Sequence, residues 1–223
     1  GKLHFGNNPL GVDEFKILPG QGDYYNPRFI TNTGDTTITG YVTDIITDLA
    51  IDWLDHRRDK EKPFLLMYLH KAPHRSWQPK EEHYKEFTQK EFPLPSTLFD
   101  DYTRIPNPEM VDEKEFPVSS SFPEASAKRV STAAATAEMN ILEHMTLGYD
   151  NKISKETLEA LNITERHMNY SPLSRMNEEQ RAAWNAVYEP INEEFRKAYP
   201  EMNDSTLTIW KYQRYMQDYL ATI

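Results

Sequence analysis

The sequence predicts an α/β fold, in which helices flank a sheet that contains a buried strand. Apolar residues recur at helical spacing over 42–60, at positions 45, 49 and 53 and at 46, 50 and 54. The run "PFLLMYLH" at 63–70 follows a short charged loop and is apolar on both faces, as in a parallel strand covered on both sides. A helix, a short loop and a buried strand form half of an α/β layer, and open α/β sheets bind ligands beyond the carboxyl ends of their strands.

Local signals predict where the first helix begins and ends. Thr43 is the expected N-cap, and Asp44 lies in the first turn, where the helix dipole favours an acid. The basic stretch 56–58 is expected to close the last turn. Residues 1–42 are punctuated by Gly, Pro, Asn and Asp, and we expect them to form loops.

The second half of the chain is predicted to be largely helical. Asn177 and Gln180 form a capping-box pattern at the start of a helix over about 178–199, which Pro190 is expected to kink or split. Apolar and aromatic residues at helical spacing predict a core-facing helix over 205–223. The alanine-rich stretch 126–145 is also expected to be helical, whereas 80–128 is mostly extended loop.

Composition excludes several classes of partner and chemistry. The chain has 223 residues and a net charge of −10, so its acidic surface disfavours nucleic acid and anionic membranes. It contains no cysteine, which rules out disulfides, thiolate metal ligands and cysteine nucleophiles within the chain. No apolar stretch approaches the roughly 18 residues that span a bilayer. Because the chain opens without Met, we expect it to be a processed or excised piece.

Two short basic clusters are candidate sites. In "GKLHFG" (1–6), Lys2 and His4 alternate with apolar residues, so both point to one face of a strand end and together could bind a tetrahedral oxyanion. The alternative is a solvated strand end. In "HKAPHR" (70–75), which ends the predicted strand, a histidine could protonate a leaving oxygen beside cations that stabilise an anion. The alternative is a basic loop in which His70 caps the strand.

The segment "LPGQGDYYNPRF" at 18–29 has two open interpretations. Its aromatic rings and amides could line a sugar-binding site, because rings stack on the faces of sugars. They could equally be turn and packing residues.

The two clusters belong to a series that resembles the formylglycine-dependent sulfatases of the alkaline-phosphatase superfamily. The series comprises "GKLHFG", "GVDEFKILPGQGDYYNP", "GYVTDIITDLAIDWL", "KPFLLMYLHKAPHRSWQP" and "TLFDDY". It is most similar to the bacterial branch called N-acetylglucosamine-6-sulfatase-like, which acts on glycosaminoglycan or mucin sugars. The resemblance implies part of a mixed sheet flanked by helices, with a helical insertion. It covers 1–104 and the last helix, and is weaker between them.

The resemblance also implies roles for individual residues. Lys2 resembles the lysine that bridges the sulfate and the formylglycine, and His4 the histidine that holds the formylglycine hydroxyl. His74 resembles the histidine that contacts the sulfate ester and protonates the leaving sugar oxygen. Leu3 stands where the family has Trp, which leaves the polar pair intact. The remaining candidates are neighbours of the site or of a sugar subsite: His70, Lys71, Arg75, Trp77 and Gln78.

The family's nucleophile and metal ligands are not found in this sequence. The family forms formylglycine from Cys or Ser in a motif upstream of Gly-Lys-x-His, and holds Ca²⁺ with acidic pairs that are expected before Gly1 and beyond Ile223. We therefore expect an internal fragment whose Ca²⁺ ligands and formylglycine lie outside the chain. Its expected parts are 1–104 of the catalytic α/β domain, an insertion at 105–204 near the substrate cleft, and a returning helix at 205–223.

These expectations give one preferred function and two alternatives. The preferred one is a sulfatase fragment whose intact enzyme removes sulfate from a sugar such as N-acetylglucosamine-6-sulfate, in the periplasm or secreted from a bacterium. Its partners are then a sulfated carbohydrate and the rest of the same polypeptide. The alternatives are a phosphatase or phosphodiesterase of the same superfamily, and a non-catalytic sugar-binding module.

Overall fold

The computed structural model describes residues 1–3, 7–74, 77–99 and 172–223. These residues divide into two compact units. One comprises the described residues of 1–89, 169–193 and 217–223, and the other those of 90–168 and 194–216. The predicted helix at 126–145 and most of the predicted insertion lie outside the described residues, as do His4 and Arg75. The predicted domain boundaries stay predictions.

A small antiparallel sheet forms within the segment that was expected to be loop. Strands β1 (Lys16–Ile17), β2 (Arg28–Thr31) and β3 (Gly34–Thr37) pair in the order β1-β2-β3. The prediction of loops over 1–42 is therefore wrong for these ten residues, because strands this short leave almost no periodic pattern. A parallel bridge between Lys2 and Leu18 adds a further partner beyond the end of β1.

Helix α1 (Val42–Asp52) continues as a short π-helical turn over Trp53–Arg57, close to the predicted range. Its N-cap is Tyr41 and not the predicted Thr43, and no side chain caps it. The N–H of Val42 instead donates to the Tyr24 carbonyl at 2.8 Å. A main-chain acceptor from another segment thus supplies what an N-cap side chain usually provides.

The apolar run 63–70 is not the buried strand that its composition predicts. No strand is assigned to it, and its side chains are largely exposed, with Leu65 86% and Met67 59% accessible. Beside it lies a cavity of about 580 Å³, lined by this run, by Leu49 of α1, by Trp53 of the π-helical turn and by Phe15. The run has the composition of a central strand, but the described residues do not cover it on both sides.

Helices α2 (Glu178–Ala198) and α3 (Asp204–Thr222) confirm both predicted C-terminal helices. The capping box is present: the Gln180 N–H donates to Asn177 Oδ1 and the Asn177 N–H to Gln180 Oε1, both at 2.9 Å. α2 continues through Pro190 without being split. None of the described helices has the length and apolar character needed to cross a membrane.

An aromatic cluster joins α2 to the first half of the chain. The rings of Trp184 and Tyr188 stack at 4.0 Å, and the Tyr84 ring meets Trp184 edge-on at 5.1 Å. All three side chains are almost fully buried. Such pairs add about 0.5–1.5 kcal/mol each beyond the burial of their area, so this cluster fixes α2 against the loop that holds Tyr84.

Asn26 is a buried hydrogen-bonding centre in the same unit. Its amide nitrogen donates to the Arg175 carbonyl at 2.6 Å and to Gln180 Oε1 at 2.8 Å, while its Oδ1 accepts from the Gly40 N–H at 2.9 Å. Its φ is +47°, in the left-handed region that asparagine tolerates better than most residues. A single side chain therefore connects three segments that are distant in sequence.

Replacing Asn26 with alanine should lower the free energy of unfolding by about 3 kcal/mol, because buried donors and acceptors lose partners and the backbone stays left-handed. Urea unfolding of the protein measures the change. Asn26→Gly should recover about 1 kcal/mol of that loss, since glycine adopts this φ without strain. The exposed Asn8→Ala should change stability by less than about 0.5 kcal/mol. Equal stability of Asn26→Ala and wild type would contradict this role.

Candidate active site

The main chain of the first basic cluster lies directly against the end of the apolar run. The Lys2 N–H donates to the Leu69 carbonyl at 3.0 Å, and the Leu18 N–H donates to the Gly1 carbonyl at 2.9 Å. The Gly-Lys segment thus lies between Leu69 and Leu18. Lys2 is bonded to the residue that immediately precedes His70, so the fold brings the two basic clusters together although about seventy residues separate them.

Gly1 permits this close approach. A Cβ at this position would lie 2.2 Å from the Leu69 carbonyl oxygen, which is a backbone atom that cannot rotate away. Any larger residue would push the segment away from the run. Close packing against Leu69 therefore explains the glycine that begins the Gly-Lys-x-His motif. The position of Lys2 depends on this close approach, because Lys2 is the next residue.

His70 begins the second cluster in a partly buried position. Its ring meets the Tyr68 ring edge-on at 4.5 Å, and its Nδ1 is buried with no hydrogen-bond partner among the described residues. Burial lowers the pKa of His70 below its usual value. The imidazole is therefore mainly neutral at pH 7, so it adds hydrogen-bonding capacity to the cluster and little charge.

Lys71 is a buried cation, with only 4% of the residue accessible. Its ammonium lies 4.4 Å from the centre of the Tyr24 ring and 3.3 Å from the Gln21 carbonyl oxygen. A ring face and a carbonyl stabilise a charge that would be costly to bury alone. Lys71 thus contributes a fixed positive charge at the start of the turn that carries His74.

A tight turn presents His74. The His74 N–H donates to the Lys71 carbonyl at 2.9 Å, and the Ala72–Pro73 peptide between them is cis. The Trp77 indole N–H donates to the Pro73 carbonyl at 2.8 Å, and its ring meets the Tyr219 ring edge-on at 5.5 Å. Trp77 and Gln78 are both buried. The predicted roles of His70, Lys71 and Trp77 at the substrate stay predictions.

Three tyrosines hold the segment 71–79 by its carbonyl groups, and we call them the tyrosine clamp: Tyr24, Tyr25 and Tyr41. The Tyr24 hydroxyl donates to the His74 carbonyl at 2.7 Å, that of Tyr41 to Gln78 at 3.0 Å, and that of Tyr25 to Pro79 at 2.8 Å. Burial raises the pKa of every phenol in the clamp, so all three remain neutral donors. For Tyr24 and Tyr25 in the segment 18–29, the packing interpretation therefore holds.

Sequence reasoning did not assign this holding role to the clamp. The adjacent pair Tyr24-Tyr25 was visible, but a bond from a side chain to a carbonyl fifty residues away leaves no local pattern. Tyr84 extends the group, since its hydroxyl lies 2.6 Å from that of Tyr25. Burial chiefly raises the pKa of Tyr84, to about 12.

Residues 1–3, 7–74, 77–99 and 172–223 contain no group of three or more His, Cys, Asp or Glu side chains that could hold a metal ion. The arrangement these residues do offer is basic: the backbone of Lys2 is hydrogen-bonded to the residue before His70, and Lys71 lies at the start of the turn that carries His74. It suits an anion near a group that can transfer a proton.

The chain is similar to known sulfatases. No family model matches the chain. A curated N-acetylglucosamine-6-O-sulfatase from Bacteroides thetaiotaomicron is 38% identical over 226 aligned residues, which cover 100% of this chain and 35% of that protein. The chain matches a sulfatase along its whole length.

Two further matches extend this similarity. The human N-acetylglucosamine-6-sulfatase is 30% identical to this sulfatase-like chain over 84 residues, which cover 35% of the chain and 15% of the human protein. A protein solved in complex with its substrate, D-glucosamine-2-N,6-O-disulfate, superposes with a TM-score of 0.65 at 35% identity. That match covers 99% of this chain and 39% of the other. The sulfatase-like chain therefore spans about a third of the length of the curated bacterial relative.

Proposed function

We propose that the chain is part of a longer sulfuric ester hydrolase that removes sulfate from a sugar of the N-acetylglucosamine-6-sulfate type. The observation that carries the proposal is the hydrogen bond between Lys2 and Leu69, which brings the two basic clusters together in a chain 38% identical to a sulfatase throughout. The sugar is suggested by the names of the relatives and by the substrate of the structural neighbour. A periplasmic or secreted location remains part of the proposal.

Lys2 and His74 would have two different roles in the reaction. The Lys2 ammonium is a point charge with three donors, suited to the sulfate oxygens that carry negative charge. The His74 imidazole, when protonated, can give its proton to the sugar oxygen as the sulfur–oxygen bond breaks. His4, which lies outside the described residues, is proposed beside Lys2. Preorganised donors of this kind act most strongly where water is excluded.

The cofactors that the resemblance implies are not assigned to these residues. Formylglycine derives from Cys or Ser in an upstream motif, and Ca²⁺ needs several oxygen ligands. The described residues offer no group of three candidate ligands. We propose that both cofactors are held by parts of the protein outside this chain.

The exposed apolar run 63–69 supports the view that this chain is incomplete alone. Leu65, Met67, Phe64 and Tyr68 are all 45% or more exposed, beside the cavity that α1 helps to line. Exposed apolar patches of this kind mark surfaces that are covered in the functional state. We propose that other segments of the same polypeptide pair with the run and cover it, which would complete the predicted sheet.

The isolated 223-residue chain should release no sulfate from a sulfated sugar and should bind a dye specific for apolar surfaces, such as ANS. It lacks the proposed nucleophile and metal, and its run 63–69 faces solvent. Sulfate release and dye fluorescence measure the two effects. The full-length protein, under the same conditions, should release sulfate and bind less dye per molecule. Chelator-sensitive turnover by the isolated chain would contradict the proposal that the nucleophile and the metal ligands lie outside these 223 residues.

The function itself is tested on the full-length protein with two matched esters, N-acetylglucosamine-6-sulfate and N-acetylglucosamine-6-phosphate. The proposal predicts release of sulfate with a kcat/KM at least about a hundredfold above that for phosphate. Preference for the phosphate ester would favour the phosphatase alternative. Binding of the sulfated sugar that survives both Lys2→Ala and His74→Ala, without turnover of either ester, would favour a sugar-binding module.

A further inference from the structure

The Tyr24 hydroxyl connects the tyrosine clamp to the backbone of His74. It donates to the His74 carbonyl at 2.7 Å, while the other two clamp hydroxyls bind carbonyls four and five residues further on. The carbonyl of a residue and its side chain share one Cα. A bond to the carbonyl therefore limits how far the Cα that carries the imidazole can move.

Tyr24 is itself held rigidly. Its side chain is 1% accessible, its ring stacks on that of Tyr41 at 6.0 Å, and its carbonyl accepts the N–H of Val42 at the start of α1. Burial and two anchors, one to a helix terminus and one to a buried ring, restrict the movement of Tyr24. Tyr24 thus connects the start of α1 to the turn that carries His74 through two hydrogen bonds.

The same ring fixes the other end of the turn. The Lys71 ammonium lies 4.4 Å from the centre of the Tyr24 ring, and the Lys71 carbonyl accepts the His74 N–H at 2.9 Å. Tyr24 therefore contacts both residues that close the turn, one through its face and one through its hydroxyl. Cations over aromatic faces are attracted by the ring quadrupole, which phenylalanine retains.

We infer that Tyr24 is a positioning residue for the His74 imidazole, and that its hydroxyl holds the proton donor at the leaving oxygen of the sulfate ester. This inference rests on the proposed function. Tyr24 does not contact the substrate, so its effect is expected on kcat and not on KM. Small displacements of a catalytic group are costly, because proton transfer depends steeply on distance and alignment.

The test is Tyr24→Phe in the full-length enzyme, which removes the hydroxyl and keeps the ring under Lys71. We expect kcat on the sulfated sugar to fall by about tenfold or more, with KM changed by less than about twofold. Tyr212→Phe is the matched control, because it removes the same group from another buried tyrosine and breaks a bond to the carbonyl of Pro93, which is not among the candidate site residues. It should lower the melting temperature by a similar amount and leave kcat unchanged.

A double-mutant cycle separates positioning from loss of stability. In a His74→Asn background the hydroxyl has no imidazole to position, so Tyr24→Phe should have no further effect on kcat. An equal effect in both backgrounds, or an unchanged kcat in the single variant, would overturn the inference. If the wild-type full-length enzyme released no sulfate at all, the proposed function would fail instead, so the two failures are distinguishable.

Discussion

Replacing His74 with asparagine should lower kcat of the full-length enzyme on a sulfated sugar by about 10²–10⁴-fold, the usual contribution of a general acid. The turn should survive the change. Its described bonds use the backbone of this residue, which donates its N–H to Lys71 and accepts from Tyr24. Asparagine keeps a polar side chain of similar reach but cannot donate a proton at the pH of the reaction.

The leaving group provides the control for this role. An aryl sulfate expels a phenolate that needs little protonation, so His74→Asn should cost far less on such an ester than on the sugar. Steady-state kinetics on both esters measure the ratio. A loss of the same size on both would mean that His74 binds the sulfate and does not act as an acid.

Replacing Lys2 with methionine should lower kcat/KM by about 10²–10³-fold, as expected when one donor to a developing negative charge is removed. Methionine has a similar length and keeps the backbone N–H that binds Leu69. The segment should therefore stay in place while the charge is lost. Lys2→Arg should recover only part of the activity, because a planar guanidinium does not replace a compact ammonium.

Lys16→Met is the matched control for Lys2. Lys16 lies in β1 and its ammonium binds Glu14 at 2.7 Å, so the substitution removes the same charge from the same sheet region. It should leave kcat/KM within about twofold of wild type, because Lys16 is not among the candidate site residues and surface ion pairs contribute little to the stability of the fold. Equal losses for the two variants would show that only the overall charge matters, and Lys2 would have no specific role.

The elements that were predicted correctly are those determined by neighbouring residues. The capping box of Asn177 and Gln180 lies within four residues, and the structure contains both of its hydrogen bonds. The helix starting at 42 was likewise predicted from its spacing. Its N-cap was not, because the Val42 N–H is satisfied by the carbonyl of Tyr24, eighteen residues earlier. No local pattern carries that information.

The run 63–70 shows the opposite case. Its composition suits a strand with partners on both faces, and the described residues do not provide those partners. Its residues suit a strand covered on both faces, and in this structure Leu65 and Met67 are exposed. The three short strands at 16–37 were not predicted, because strands of two to four residues show almost no alternating pattern of apolar and polar residues. The composition of a segment indicates which of its residues favour burial. Whether those residues are buried depends on the segments that pack against them.

The candidate site was predicted in part. The pairing of Lys2 with the end of the apolar run follows from the resemblance, and the hydrogen bond to Leu69 is consistent with it. The close approach at Gly1 and the positioning hydroxyl of Tyr24 required coordinates, because both depend on contacts between segments fifty or more residues apart. His4 and Arg75 stay predictions.

The most direct test of this account is a crystal structure of the full-length enzyme, as an inactive variant at its nucleophile, with a sulfated sugar bound. The account predicts that Lys2 Nζ and a His74 ring nitrogen both lie within about 3.2 Å of oxygens of one sulfate ester, with His74 on the bridging oxygen. A sulfate bound elsewhere, or contacted by only one of these two residues, would contradict it.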